Sequence, residues 1–252
     1  MSSNRRYLLL AAAAAAACSV TPLTNKIRVG EEAFVIGVGE GPDSLTDLFA
    51  APAGSGAFAR LTFNRTEEHL PRLSPDGLRV AYLRRAPGQS QWTLVILDLL
   101  SNAERTSAVP PESGPPEALG WSADGEQVVL RAARYYSVGA TGGGRGNARL
   151  APLAPGLAAK ADSLTRQWLG PAGEGGIRSC GGELCVSVGD SLTPLGAGVS
   201  GAIRWGPDSV GYFSEDHFEV RPLAGGFARR PGWKEMPGHL REITYAPPPS
   251  VR

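Results

Sequence analysis

The sequence contains few residues of several kinds, and each shortage excludes a class of protein. Among 252 residues there are three cysteines and three histidines, too few for a multi-cysteine zinc domain or a disulfide-rich scaffold. The 25 basic and 24 acidic residues leave a net charge of +1. No global field that would recruit nucleic acid or anionic membranes is therefore expected. The longest apolar run, residues 7–17, is too short to cross a bilayer as a helix.

Motifs that carry catalysis are also missing. No Gly-x-Ser-x-Gly elbow occurs, which excludes a serine hydrolase of the α/β type. The glycine-rich run 142–146 lacks the Lys-Ser/Thr pair of a phosphate-binding loop. Asp43, Asp47 and Asp76 fall in turn-like segments, where aspartate is favoured for backbone reasons. We therefore expect no catalytic residues, no metal and no cofactor.

Glycine and proline, by contrast, are abundant. The chain has 33 glycines and 21 prolines, with 42% hydrophobic and 19% charged residues. That balance is typical of a globular protein, and so many turn-forming residues favour many short strands over long helices. The sequence predicts an all-β domain.

The N-terminus has the organisation of an export signal. Arg5 and Arg6 precede the apolar run, which ends in small residues directly before Cys18. This pattern resembles the lipobox of bacterial lipoproteins, in which the cysteine after the cleaved signal carries the lipid. Ala15 stands where that family usually has leucine, so cleavage by an ordinary signal peptidase remains the alternative. We expect a signal peptide at 1–17, lipidation of Cys18, a linker at 18–25, and residence in the cell envelope facing the periplasm or the surface.

The other two cysteines are close in sequence. Cys180 and Cys185 flank Gly181-Gly182-Glu183-Leu184, between segments that alternate as short strands do. A hairpin there places the two side chains opposite each other at disulfide distance, and an oxidising compartment preserves the bond. Two reduced cysteines packed in a small core are the alternative.

A turn-centred unit recurs along the chain. Residues 71–82 are repeated at 118–130 and, more weakly, at 203–213. The spacings are 48 residues and then 84, which is two steps of 42, so a degenerate unit is expected near 168–173. In the turn Ser74-Pro75-Asp76-Gly77 proline fixes φ, aspartate bonds back to the backbone, and glycine accepts a positive φ, which closes a hairpin between half-buried strands. The predicted turn residues are Pro75, Asp76, Gly77, Asp124, Gly125, Pro207 and Asp208.

Residues 60–62 followed by 70–82 resemble the WD40-like (PD40) repeat of TolB-type propellers. The resemblance implies a β-propeller over 26–246 with a tail at 247–252. It has five four-stranded blades, or alternatively six incomplete ones, near 26–62, 70–108, 117–160, 164–195 and 201–230. A last strand at 239–245 is expected to complete the ring by pairing with the first blade. TolB also carries an α/β domain, for which the residues between Cys18 and the first strand leave no room. A β-sandwich is the competing fold.

In the propeller, several charged and aromatic residues are expected on one face around the central opening. Such a rim suits recognition of a protein or peptide, although loops are polar in any case. The chain is therefore predicted to be a monomeric, non-catalytic binding module for an envelope protein or peptide. A lactonase- or cyclotransferase-like enzyme with a central metal or acidic site, and a carbohydrate-binding propeller, are the alternatives. The candidate binding face comprises His69, Arg84, Arg85, Tyr135, Tyr136, Glu215, Asp216, His217, Trp233 and His239, with Glu67 and Glu68 beside them.

Overall fold

The structure is a computed structural model that describes residues 22–23, 26–140, 149–154, 156–157, 177–188, 191–215 and 217–249. The predicted signal peptide, Cys18, the run 142–146, the degenerate unit at 168–173 and Asp216 lie outside the described residues. Nearly all described secondary structure is β, with one short 3-10 helix at Pro111–Ser113.

Twenty strands follow one another along the described chain. In order they are β1 (Phe34–Glu40), β2 (Thr46–Pro52), β3 (Ser55–Ala57), β4 (Ala59–Arg60), β5 (Glu67–Leu73), β6 (Arg79–Arg85), β7 (Trp92–Asp98), β8 (Glu104–Ala108), β9 (Ala118–Trp121), β10 (Gln127–Arg131), β11 (Tyr135–Gly139), β12 (Ala151–Pro152), β13 (Ile177–Cys180), β14 (Glu183–Val188), β15 (Ser191–Gly196), β16 (Val199–Arg204), β17 (Ser209–Ser214), β18 (His217–Pro222), β19 (Gly232–Lys234) and β20 (Gly238–Ala246).

These strands form the successive antiparallel sheets of a β-propeller, as the sequence predicts. Blade 1 has the strand order β20-β1-β2-β4, blade 2 has β5-β6-β7-β8, and blade 3 has β12-β11-β10-β9. Blade 4 contains β13-β14-β15 and blade 5 contains β16-β17-β18. The predicted β-propeller is confirmed, and within the described ranges three of its sheets have four strands and two have three.

The last strand completes the first blade. β20 pairs antiparallel with β1, with Phe34 opposite Ala246 and Ile36 opposite Thr244. In the other blades the inner strand directly precedes the second strand in the sequence. Blade 1 is the exception, because its inner strand, β20, lies near the C-terminal end of the chain. The predicted pairing of the final strand with the first blade is confirmed. This pairing covers a sheet edge that would otherwise be open to aggregation.

The core consists of layers between neighbouring blades. Alternate residues of one strand enter different layers: Val80 and Tyr82 pack between blades 1 and 2, whereas Ala81 and Leu83 pack between blades 2 and 3. Further layers lie between blades 5 and 1 and between blades 4 and 5. Central strands such as β6 are thus covered on both faces, which explains their continuous apolar runs. The half-buried alternation expected from the sequence is wrong for these strands.

The packed chain begins before the first strand. Leu23 and Ile27 are 1% exposed and belong to the layer between blades 1 and 2. Leu23 lies inside the segment 18–25 that the sequence analysis assigned to a linker. At least this residue therefore packs into the fold.

The recurring turn has the predicted chemistry, with one addition. Asp76 Oδ1 accepts the amide of Leu78 at 3.0 Å, and Gly77 has φ +65°. Ser74 adds a role that the sequence analysis did not assign, because its hydroxyl donates to Asp76 and accepts the amide of Arg79 at 2.9 Å. Ser122, Asp124 and Gly125 repeat this arrangement in blade 3, whereas at Pro207 and Asp208 the turn is one residue shorter and the positive φ falls on Gly206.

Replacing Asp76 should therefore destabilise the protein more than replacing Asp208. Asp76→Ala removes the acceptor for the Leu78 amide and the Ser74 hydroxyl, which should lower the free energy of unfolding by roughly 1–3 kcal/mol. Asp208→Ala is the matched control, because no side-chain hydrogen bond of Asp208 is found in the described structure. Urea denaturation of both variants measures the difference, and equal losses would show that the carboxylate of Asp76 does not stabilise the turn.

The two neighbouring cysteines are joined. Cys180 and Cys185 form a disulfide with a Cα–Cα distance of 5.9 Å. The register differs from the expected one, since Cys180 lies opposite Glu183 and Cys185 lies opposite Arg178. The cysteines are therefore diagonal neighbours on one face of the hairpin. Its two-residue turn consists of Gly181 and Gly182, both with positive φ, as a twisted hairpin prefers.

Candidate functional site

The strand directions give the propeller two distinct ends. The turn face is the end that carries the turns at 74–77 and 122–125, between the first and second strands of blades 2 and 3. The loop face is the opposite end, which carries the connections at 41–45, 61–66, 86–91 and 132–134. The predicted binding rim belongs to the loop face.

One predicted group is assembled around Trp92 on the loop face. The ring of His69 meets that of Trp92 edge-on at 5.4 Å, and the Arg85 guanidinium lies 4.4 Å from the Trp92 ring centroid. Glu67 pairs with Arg85 across the strands. A groove of about 260 Å³ next to them is lined by Arg85, Trp92 and the proline-rich segment 109–115. This group offers a half-exposed cation over an aromatic ring, a combination that anchors many protein contacts.

The remaining exposed residues of the predicted rim come from different parts of the sequence. His217 and Glu215 flank the connection between β17 and β18 and face solvent. The side chain of His239 is 81% exposed, with Nε2 lying 3.6 Å from a carboxylate oxygen of Glu40. Tyr135 is half-buried at the start of β11. These side chains are accessible to a partner.

Three residues proposed for the rim are instead built into the fold. Tyr136 is 4% exposed and packs between blades 2 and 3, because strand alternation turns it inward where Tyr135 faces outward. Glu68 is fully buried. The Arg84 guanidinium is held between Glu68 and Glu104, at 3.3 and 2.8 Å. None of the three is free to contact a partner.

Trp233 lies at the other end of the propeller. It sits on β19, which pairs in parallel with β3 in the connection between β2 and β4. Its indole donates to the carbonyl oxygen of Pro52 at 2.8 Å, and its ring packs on Phe58 and Phe218. Trp233 therefore fastens blades 1 and 5 together on the turn face, and its assignment to the binding rim is corrected.

The buried carboxyl of Glu68 is part of a polar network between blades 1 and 2. It accepts from the Thr62 hydroxyl, from the Leu48 amide at 3.1 Å and from Asn64 Nδ2 at 3.4 Å. Burial raises the pKa of Glu68 to about 7, although Arg84 and the hydroxyl donor oppose the shift. Burial likewise raises the pKa of the neighbouring Asp47 to about 6, against the attraction of Arg60. The network holds the connection between the two blades in place.

The inner strands carry a shared irregularity that shapes the central channel. In β5, β16 and β20 a bulge places two residues opposite one on the next strand, and the first of each pair has a positive φ: Leu70, Gly201 and Glu242. The register therefore places Arg72, Ile203 and Thr244 at equivalent positions after the bulge. His69, Ser200 and Arg241 occupy equivalent positions before it. Bulges of this kind redirect side chains.

A cavity opens among these inner strands. It has a volume of about 350 Å³ and combines polar groups with the apolar side chains Ala202, Ile203, Phe213 and Ile243. Its polar lining comprises Arg72, Ser200, Arg241, Glu242 and Thr244. We call this the channel cavity.

The carboxylate of Glu242 is already engaged by neighbouring groups. It accepts the Leu70 amide at 2.5 Å and lies 3.8 Å from Nδ1 of His69. These contacts hold the pKa of Glu242 below its usual range despite its burial. Thr244 similarly accepts the amide of Leu73 at 3.2 Å. Side chains of β20 thus satisfy the free edge of β5.

The channel residues were not predicted as a site from the sequence. A signal was present, because residues 239–245 align with 68–73 and both stretches place charged side chains inside a strand. The residue positions do not reveal that Arg72, Arg241 and Glu242 line one cavity, since the bulges at Leu70 and Glu242 have no glycine to mark them.

Two other kinds of feature are absent from the described residues. No group of three or more histidine, cysteine or acidic side chains there is arranged to hold a metal ion. Within the same ranges, no helix has the length and apolar character needed to cross a bilayer.

Comparison with known proteins gives likeness in structure only. No family model matches the sequence, and no curated protein matches it. TolB from Acinetobacter baumannii superposes with a TM-score of 0.46 and 12% identity, covering 89% of this chain and 69% of that one. The β-propeller domain of the Trilobed protease from Pyrococcus furiosus superposes with a TM-score of 0.39 and 9% identity, covering 81% of this chain and 83% of that one.

A proposed 6-phosphogluconolactonase from Bacteroides fragilis gives a TM-score of 0.31 and 17% identity, with 80% of this chain and 67% of that one covered. The strand pairing itself defines this chain as a β-propeller, similar in architecture to TolB proteins.

Proposed function

We propose that this chain is an exported, lipid-anchored binding protein of the bacterial cell envelope, and that its loop face and channel engage a protein or peptide without catalysis. The observation that carries the proposal is the group of His69, Arg85 and Trp92 beside the channel. It presents a cation and two rings that are only partly used by neighbouring residues. Partly exposed aromatic and arginine side chains of this kind dominate the affinity of protein interfaces.

The path of the N-terminal segment supports this choice of face. The residues just before β1 lie at the turn face, because a Cβ atom added at Gly30 would lie 3.3 Å from Leu78 and the amide of Ala53 donates to the carbonyl oxygen of Ala33. Four residues lie between Cys18 and Leu23, so the two are within roughly 17 Å of each other when the chain is fully extended. A lipid on Cys18 would hold the turn face towards the membrane and leave the loop face directed away from it. The disulfide between Cys180 and Cys185 suits an exported protein.

Membrane attachment is tested by replacing the proposed lipid acceptor. In a bacterial host that processes lipoproteins, the wild-type chain should partition into the detergent phase, and Cys18→Ala should move most of it to the aqueous phase because acyl chains supply the membrane affinity. Ser19→Ala, the adjacent substitution, should partition as wild type does. Equal partitioning of the wild type and Cys18→Ala would contradict the lipid anchor.

Binding by the loop face is tested in the same cells. A photo-reactive amino acid at His217 should give a discrete cross-linked product, whereas the same amino acid at Ser101, on the turn face, should not. Arg85→Ala combined with Trp92→Ala should reduce the product at position 217 at least tenfold. Cross-links of equal yield at both positions, or a product insensitive to the double substitution, would contradict the proposed face.

A further inference from the structure

The channel cavity contains a half-buried arginine, Arg72, that forms no ion pair with a carboxylate in the described structure. Nη1 of Arg72 donates to the carbonyl oxygen of its own neighbour Pro71 at 2.8 Å, and Nε is buried with no hydrogen-bond partner in the described structure. Glu242 is the acidic residue of the cavity, but it is engaged by Leu70 and His69 and forms no salt bridge with Arg72. Burial lowers the pKa of Arg72, and Glu242 opposes the shift from a distance.

The backbone at Arg72 is fixed from two sides. Its carbonyl accepts the indole of Trp121 from blade 3 at 2.8 Å. On the other side, the next residue, Leu73, donates its amide to Thr244 of blade 1. The backbone that carries Arg72 is thus held by both neighbouring blades. A side chain on so rigid a support is preorganised, which lowers the cost of binding a ligand.

The charges of the cavity favour an anion. Arg72 and Arg241 contribute two positive charges and Glu242 one negative charge. A guanidinium with free N–H groups matches the two oxygens of a carboxylate, with which it forms paired hydrogen bonds. A buried N–H group without a hydrogen-bond partner, such as Nε of Arg72, is costly, and a bound carboxylate can remove that cost.

The geometry points to a carboxylate site in the channel cavity, with Arg72 as the anchoring group and Arg241 at its edge. The remaining lining of Ala202, Ile203, Phe213 and Ile243 is apolar, so the ligand carries an apolar body next to the carboxylate. A volume of about 350 Å³ accommodates one small organic acid or the last one or two residues of a peptide. This inference rests on the proposed binding function and specifies the chemistry of the ligand.

Calorimetric titration of the purified mature protein with defined probes tests the inference. The probes are the peptide Gly-Gly-Phe, its C-terminal amide, and the free acid phenylpropionate. The peptide acid should bind and the amide should bind at least tenfold more weakly, because only the acid supplies a charged partner for Arg72. Comparable binding of phenylpropionate identifies a free organic acid as a sufficient ligand, and preference for the peptide identifies a chain terminus; either result supports a carboxylate site.

Three substitutions assign the binding to the cavity. Arg72→Gln should weaken binding of the peptide acid at least tenfold, and Arg241→Gln should weaken it by a smaller factor, since Arg241 is exposed. Arg65→Gln, which removes an exposed arginine from the loop face outside the cavity, should leave the affinity unchanged. Because Arg241 and Arg65 are exposed, their variants remain folded and keep the comparison valid even where Arg72→Gln loses stability.

The carboxylate site would be overturned by any of three results. The first is that the wild type binds neither acid at up to about 10 mM, a concentration well above that at which weak ligands bind. The second is equal binding of the peptide acid and its amide. The third is an equal loss of affinity in Arg241→Gln and Arg65→Gln. Such a failure is distinguishable from failure of the proposed function, which depends on detergent partitioning and on cross-linking at position 217.

Discussion

Ending the chain at Pro237 should abolish cooperative folding. The shortened chain lacks β20, so β1 loses its inner partner and Ile243, Thr244 and Ala246 no longer fill the layers on either side of blade 1. The edge of β5 also loses the acceptors Glu242 and Thr244. The combined loss exceeds about 5 kcal/mol, which is comparable with the whole stability of an ordinary domain.

Urea denaturation followed by circular dichroism measures this effect. The matched control ends at Pro248 and keeps all of β20. It should unfold in one transition with the midpoint of the full-length protein. A chain that ends at Pro237 and still unfolds cooperatively, with an unchanged dependence on urea, would show that blade 1 is stable without its C-terminal strand.

The second large effect is a loss of stability with rising pH. Burial raises the pKa of Glu68 from 4.5 to about 7, against the opposing effects of Arg84 and of the donors Thr62 and Asn64. A carboxyl group with a raised pKa in the folded state binds its proton more tightly there than in the unfolded chain. Its contribution is therefore complete below about pH 4.5 and is lost as the pH rises through 7. The difference is roughly 3 kcal/mol.

The burial of Asp47 acts in the same direction over a lower pH range, because it raises the pKa of that group from 3.8 to about 6. We therefore expect the free energy of unfolding to fall between pH 5 and pH 8. In the Glu68→Gln variant, the free energy of unfolding should fall less steeply with pH, by the amount that corresponds to about one bound proton. At pH 8 the variant should be at least as stable as the wild type.

Glu67→Gln provides the control for this prediction. Glu67 is the adjacent residue, pairs with Arg85 and reaches solvent, so its replacement should leave the slope as in the wild type. Urea denaturation at pH 5, 6, 7 and 8 gives the measurement. A wild-type stability that is constant or increases over this range would show that Glu68 is ionised in the folded protein at all four pH values.

The repeat explains why so much of the fold was predictable from sequence. Proline, aspartate and glycine at fixed offsets impose a local backbone path, and this path is largely independent of distant contacts. Asp76 and Asp124 therefore make the predicted bonds. The similarity of residues 239–245 to an inner strand placed the final strand correctly, because the two stretches have the same neighbours in the propeller.

Contacts between distant segments could not be predicted in this way. Trp233 is drawn to the turn face by a parallel pairing with β3, about 180 residues earlier in the chain. Which of Tyr135 and Tyr136 faces the core depends on the strand register, and the sequence does not fix that register to the nearest residue. The diagonal register of Cys180 and Cys185 depends on the Gly181-Gly182 turn in the same way.

The candidate site was only partly accessible to sequence reasoning for a related reason. Exposed loop residues such as His217 and His239 follow from strand order alone. The channel cavity depends on bulges in three inner strands, and two of these contain non-glycine residues with positive φ. Such conformations are costly for Leu70 and Glu242 and persist because the surrounding blades fix them. They are a property of the assembled propeller.

A disulfide engineered across the closing strands tests the central claim most directly. A Cβ atom added at Gly238 lies 3.8 Å from Cβ of Glu40, within the range of about 3.5–4.5 Å that a disulfide requires. In a Cys18→Ala background, the pair Glu40→Cys and Gly238→Cys should oxidise to a single cross-link, identified by mass spectrometry of non-reduced peptides. The control pair, Glu40→Cys and Ser101→Cys, should retain free thiols. Free thiols in the first pair, or equal cross-linking in both pairs, would contradict closure of blade 1 by the C-terminal strand.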